Sequence, residues 1–220
     1  MVKYYKFREN MVDSQIRTSD VRHQGVLEAF RNVKRELFVP EHLEGVCYLD
    51  EELDIGGSRF LLAPALQARL MQEGEPSTND VVLDVGGGTG YSAALWSRLV
   101  STVIALEENQ ELLNTATKLW QQLESYNIAP VYGRLEDGAQ QYQPFDIVFL
   151  NGAICEPPEK LLGQLKEGGV LLTVMIESGR RNGCAVKFQK DTEGHITRSR
   201  LFDAACPYLH GFCKEKAFAL

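Results

Sequence analysis

From Val81 onward, apolar runs alternate with amphipathic stretches. VVLDV at 81–85 reads as a buried strand, 91–100 as a helix, 102–106 as a strand and 109–126 as a long helix; 129–132, FDIVFL at 145–150 and VLLTVMI at 170–176 read as further strands, with a helix over 158–165 between the last two. Near-continuously apolar strands separated by helices indicate a parallel sheet covered on both faces. The tail changes character. Half-buried patterns at 184–189, 196–202 and 212–220 predict late strands that close the sheet with an antiparallel element. Before Gly74 the pattern is helical. Val26, Leu27, Phe30 and Val33 share a face that Asp20 would cap, Pro40 forces an extended exit, and a helix starting at Pro64 carries Leu66, Leu70 and Met71. The fold class expected is α/β, a Rossmann-like, doubly wound, mostly parallel seven-stranded sheet with helices on both faces and an N-terminal helical extension. The extension, or lid, would run over 1–75 and the core over 76–220, as one globular unit.

Within that pattern, VVLDVGGGTGY runs a strand into four glycines in five positions, Gly86, Gly87, Gly88 and Gly90, followed by Tyr91. In a doubly wound sheet such a turn lies outside the carboxyl ends of the strands and feeds a helix N-terminus, where a nucleotide-bearing ligand sits. Two phosphate readings fit poorly. A G-x-G-x-x-G spacing from Gly86 would put its third glycine on Tyr91, and no Gly-Lys-Ser/Thr follows for a P-loop. Asp84 sharpens the exclusion. Two like charges about 4 Å apart repel by roughly 4 kcal/mol at an effective dielectric of ~20, so a diphosphate is a poor neighbour and a cation a good one. S-adenosylmethionine carries a sulfonium, an ammonium and an adenosine without phosphate, which suits an acidic glycine turn. Glu107 ends the next strand 21 residues after Gly86, where an acid can accept both ribose hydroxyls, with Glu108 beside it.

Composition narrows the partners. A net charge of −7 over 220 residues argues against a nucleic-acid binder, and the stretch 170–176 is far too short to span a bilayer. The basic pairs around Arg180 and Arg198 read as solvated loop. The charged start, MVKYYKFREN, lacks a signal-peptide pattern, and five cysteines without a C-x-x-C pair suit free thiols in a reducing compartment, so a cytoplasmic chain is expected, as monomer or weak homodimer. Cys206, His210 and Cys213 lie close in sequence but lack a fourth ligand, so no metal is assigned; His23, His42, His195 and Cys155 read as structural or solvated.

Several segments together, MVDSQIR at 11–17, VLEAFRNVKRELFVP at 26–40, LDVGGGTGY and the stretch 144–172, resemble the protein-L-isoaspartate O-methyltransferase family of class I S-adenosylmethionine-dependent methyltransferases. The resemblance implies that Asp84, Gly86, Gly88, Gly90 and their neighbours Gly87 and Tyr91 hold the cofactor, that Glu107, with Glu108, binds its ribose, and that the substrate is a carboxylate of damaged protein. Two segments depart from the family pattern. Where the family has G-x-G-Q-T-I-S-Q-P beside the acceptor, this chain has GGSRFLLAP at 56–64, with Phe60, Leu62 and Ala63 in the threonine, serine and second glutamine positions. Where the family has an acid for the adenine amino group, this chain has Arg134, next to Leu135, with Asp137 or backbone groups as substitutes. Arg59, Phe60, Leu62 and Asn151 are the expected acceptor-side residues, Arg59 as a charge-assisted contact to a carboxylate. A protein or peptide substrate is the first expectation; a different acceptor, a small molecule or another protein side chain, or a catalytically silent cofactor-binding protein, is the alternative.

Overall fold

The structure is a computed structural model that describes residues 2–177 and 182–213. Its front part opens with helix α1 (Val2–Met11), which passes through a π-turn (Val12–Ile16) and a 3-10 turn (Arg17–Ser19), and continues to α2 (Gln24–Asn32). Asp20 does not cap α2. It takes a left-handed conformation with φ of 66° that ends the preceding turn, and His23 is the cap, its Nδ1 accepting from the Val26 amide at 3.2 Å. Asp tolerates the left-handed region, which lets it stop a helix as well as start one. Past Pro40 the chain forms a two-stranded hairpin, β1 (Leu53–Gly56) and β2 (Arg59–Leu61), before α3 (Pro64–Glu73). The helical expectation for the front part missed this hairpin, because strands of four and three residues leave too little alternation to register.

The main sheet then builds in βα steps. β3 (Val81–Val85), α4 (Tyr91–Trp96), β4 (Thr102–Glu107), α5 (Gln110–Gln122), β5 (Ile128–Tyr132), β6 (Phe145–Ile154), α6 (Glu159–Leu162), β7 (Leu165–Met175), β8 (Gly183–Lys190) and β9 (Ile196–Ala204) follow in order. Seven strands lie in the order β5-β4-β3-β6-β7-β8-β9, with β8 and β9 antiparallel and the rest parallel. The fold class read from the pattern is therefore the one observed, including the antiparallel closure. Three helices are shorter than expected, α5 ending at Gln122 rather than at 126. After Trp96 the chain tightens into i→i+3 bonds, Arg98 to Leu95 and Leu99 to Trp96, and α6 occupies only 159–162. Of the third late segment, Phe212 and Cys213 are not in a strand, and 214–220 lie outside the described residues.

Period-two alternation sorts the strand residues between two apolar layers. Val82, Val103, Ala105, Ile147 and Phe149 join the layer that contains the front-part residues Met11, Phe30, Phe38 and Leu62. Leu83, Val85, Ile104, Leu106, Val148 and Leu150 join the layer with Leu135, Leu161 and Leu209. Asp84 and Glu107 share parity with the first set, so both acids point toward the side covered by the front part. The expectation of five free thiols is also corrected: Cys155 and Cys213 form a disulfide, whereas Cys47, Cys184 and Cys206 are free. The reason is the tail's path. After β9 it returns across the carboxyl end of β6, with Ala153 donating to Pro207 and Leu209 donating to Ala153, each at 2.8 Å, which brings Cys213 to Cys155.

Candidate active site

Strand order reverses around β3, and the crevice at its carboxyl end is where a ligand is expected. The turn 86–90 occupies that place. Gly86, Gly88 and Gly90 have φ of 69°, 59° and 89°, values that side-chain-bearing residues rarely adopt. At Gly90, the first residue before α4, a β-carbon would also lie 2.5 Å from the Trp120 ring, whose Nε1 donates to the Gly90 carbonyl at 2.9 Å. The turn is thus clamped from above by α5.

Asp84 lies beneath the turn, 1% exposed. Its Oδ1 accepts from the Ser92 hydroxyl and, at 2.9 Å, from Asn151 Nδ2, which also reaches the Val85 carbonyl at 3.1 Å. Burial pushes the carboxyl up to about 6, against the pull of the Ser92 and Asn151 donors and with a further push from the Glu107 charge. An acid held this unfavourably gains from any cation placed next to it.

Glu107, 2% exposed, is the most heavily bonded group in the crevice. Its Oε2 accepts from Gly88 N and Arg59 Nε, both at 3.0 Å; its Oε1 accepts from Arg59 Nη2 at 2.8 Å and from the amides of Glu108 and Asn109 at 2.9 and 3.0 Å. The Asn109 side chain caps α5 by accepting from Glu111 and Leu112, so helix start and carboxylate are fixed together. Glu108 accepts from Arg59 Nη2 at 3.0 Å and from His210 Nδ1 at 2.9 Å. Partial burial raises its pKa, but Arg59 and His210 outweigh that and hold the carboxyl below its ordinary range.

The acceptor-side residues fall elsewhere. Arg59 is not a surface side chain: it is 2% exposed and bound to Glu107. Leu62 packs in the front-part core while its carbonyl accepts from Arg35 at 2.9 Å, and Phe60 is half-buried on the hairpin opposite Asp54. Asn151 is at the crevice, but on Asp84. On the cofactor side, Tyr91 is turned away. Its ring packs edge-on against Phe30 and Phe38 with the Arg35 guanidinium 4.8 Å from its centroid. Arg134 points outward, paired with Glu136 at 2.6 Å, and Asp137 is taken by Lys160; Leu135 alone of that stretch reaches the turn, beside Gly86. Among the described residues, no group of three or more His, Cys, Asp or Glu is placed to hold a metal ion, and Cys206, His210 and Cys213 do not converge.

Four residues were missed from sequence. Ser92 sits in the first turn of α4 and shared no motif with Asp84. Trp120 reads as an ordinary core position of α5, in helical step with Leu113 and Ala116. Leu209 and His210 arrive from the tail: a β-carbon on Gly86 would lie 2.6 Å from Leu209, and one on Gly152 2.9 Å from it. Nothing local in the sequence announces a contact across more than a hundred residues.

With this geometry in place, the comparisons are specific. The family model of protein-L-isoaspartate(D-aspartate) O-methyltransferase matches residues 6–208. The chain belongs to the protein-L-isoaspartate O-methyltransferase family. Relatives of that family include protein-L-isoaspartate O-methyltransferase 2 of Shewanella sediminis, 36% identical over 170 residues that cover 77% of this chain and 70% of the relative. The enzyme of Desulfosudis oleivorans is 36% identical over 171 residues, 78% of this chain and 77% of its own. A solved protein-L-isoaspartate O-methyltransferase superposes with a TM-score of 0.81 at 25% identity, over 93% of this chain, which spans 66% of that longer one. A Plasmodium falciparum structure of the same family name, in complex with S-adenosyl-L-homocysteine, shares the fold with a TM-score of 0.74 at 19% identity, over 94% of this chain and 97% of its own. The family match therefore spans the hairpin as well as the core.

Proposed function

We propose that this protein is an S-adenosylmethionine-dependent methyltransferase that esterifies a carboxylate on damaged, isoaspartyl-containing protein or peptide, in the cytoplasm. The observation that carries the reading is the Glu107 seat. A carboxylate at the end of β4, fixed by the Gly88, Glu108 and Asn109 amides, has both oxygens aimed at a site where a fork of two donors already fits. The Arg59 guanidinium stands in for what a ribose diol would present. The residues fit the cofactor: Glu107 for the diol, the turn 86–90 for close backbone approach, and Asp84 for positive charge. Gly87, Gly88 and Leu135 complete the lining, while the Arg134 side chain, paired with Glu136, contributes nothing to it.

When bound, the cofactor supplies an electrophilic methyl on a sulfonium; a carboxylate oxygen takes the methyl as the carbon–sulfur electron pair returns to sulfur, giving an ester and a neutral thioether. The chain's own task is alignment and exclusion of water. An acceptor carboxylate is ionised at neutral pH, so no general base is needed. Holding acceptor and methyl in line can supply ~7 to 11 kcal/mol of the barrier reduction. Asp84, through Ser92 and Asn151, is held where a cation is favoured. No helix of the described residues is long and apolar enough to cross a membrane.

The reading is tested by incubating the protein with methyl-labelled cofactor and a peptide containing isoaspartate, with the aspartyl peptide as control. Base-labile label on the isoaspartyl peptide alone is expected. Label that resists base, or that appears equally on both peptides, contradicts it.

A further inference from the structure

Between the hairpin and the sheet, the crevice is closed from within. The void bounded by Asp84, Gly87, Gly88, Gly90, Glu107 and Trp120 is only about 10 Å³, no more than a single water requires. Immediately outside it, an open cleft of about 490 Å³ is lined by Gly57, Ser58, Glu108, Asn109 and His210. Arg59 separates the two. Its side chain lines the outer cleft while its guanidinium occupies both oxygens of Glu107, which lines the inner void. The hairpin lies directly on the turn: a β-carbon on Gly88 would stand 2.6 Å from Ile55 and 3.2 Å from the Arg59 side chain.

We propose that Arg59 is an internal ligand of the cofactor seat, occupying the Glu107 positions that the ribose diol needs, so that the cofactor enters only as the β1–β2 hairpin withdraws Arg59. The inference rests on the functional reading above. Planar guanidinium and vicinal diol compete because each offers two parallel donors to one carboxylate. The seat itself does not depend on the arginine. Three backbone amides keep the Glu107 carboxylate in place and hydrogen-bonded when the side chain leaves, and Glu108, 29% exposed and already bonded to Nη2, offers the departing guanidinium a partner at the cleft wall. Arg59 is thus an affinity-setting residue: its removal should strengthen binding at a site where deleting a buried ionic contact would ordinarily weaken the structure.

The test is calorimetric titration of S-adenosylhomocysteine into the full-length protein and into Arg59→Gln and Arg59→Lys, with thermal unfolding of each by circular dichroism. Arg59→Gln is expected to bind at least tenfold more tightly than the parent, and Arg59→Lys, which keeps the charge without the fork, between the two. Equal or weaker binding by a folded Arg59→Gln overturns the inference and leaves the functional reading standing. If Arg59→Gln does not fold, the Lys variant decides alone, and no gain there overturns the inference. Failure of the parent and both folded variants to bind overturns the functional reading and the inference with it.

Discussion

Asp84 and Gly90 show how much a single position carries. Asp84 is raised to about 6 in the folded protein from an ordinary 3.8. Between those values the native state holds more protons than the unfolded chain, so stability falls as pH rises through that window and is level above it. Asp84→Asn removes the penalty. It should match the parent near pH 4 and exceed it by about 3 kcal/mol above pH 6, less whatever is lost in hydrogen bonds to Ser92 and Asn151. Denaturant unfolding at several pH values checks this, and a pH-independent difference contradicts it. The same variant should bind the cofactor more weakly, having lost the charge that favours a cation. Gly90→Ala meets both a left-handed backbone and the Trp120 ring. It should cost more than about 1 kcal/mol in urea unfolding, since alanine is unfavourable where φ is positive. Leu62→Ser, which would restore the family's residue type, should cost about 2–5 kcal/mol without creating an acceptor contact, because that position is core. A thermal melt beside the ester assay separates the two effects.

At the scale of elements, legibility follows the range of the determining contacts. β3, β4 and the long α5 were plain in the sequence because their own apolar periods specify them, and Asp84, the glycines and Glu107 were legible because strand-end position alone places them. The hairpin β1–β2 was not: seven strand residues are too few for a period, and its role comes from lying on Gly88. Arg59 was singled out in the sequence, but its pairing was not legible there, since nothing in GGSRFLLAP reveals that Glu107 is 48 residues away in sequence but within 3.0 Å of its guanidinium. The tail followed the same logic, its disulfide and Leu209 contact being set by a return path that no local pattern encodes. The cap of α5 couples helix to site. Asn109→Ala should cost about 0.5–2 kcal/mol of stability, measured by chemical unfolding. Binding should weaken in step, because the amides that seat Glu107 belong to the same helix start.

The whole molecule is a sheet with its ligand crevice at the reversal point, roofed on one side by the front part and on the other by the tail. Both roofs touch the turn, the hairpin through Ile55 and Arg59 and the tail through Leu209, and Glu108 touches both through Arg59 and His210. Such an arrangement places an acidic, cation-favouring cradle inside a chain of net charge −7 and keeps it shut until a ligand opens it. The most direct check is a crystal structure of the protein with S-adenosylhomocysteine. The account predicts the ribose hydroxyls on the two oxygens of Glu107, the amino acid end toward Asp84 and Arg59 displaced into the outer cleft. A ligand bound elsewhere, or one seated in the crevice with the Arg59–Glu107 pair intact, would contradict it.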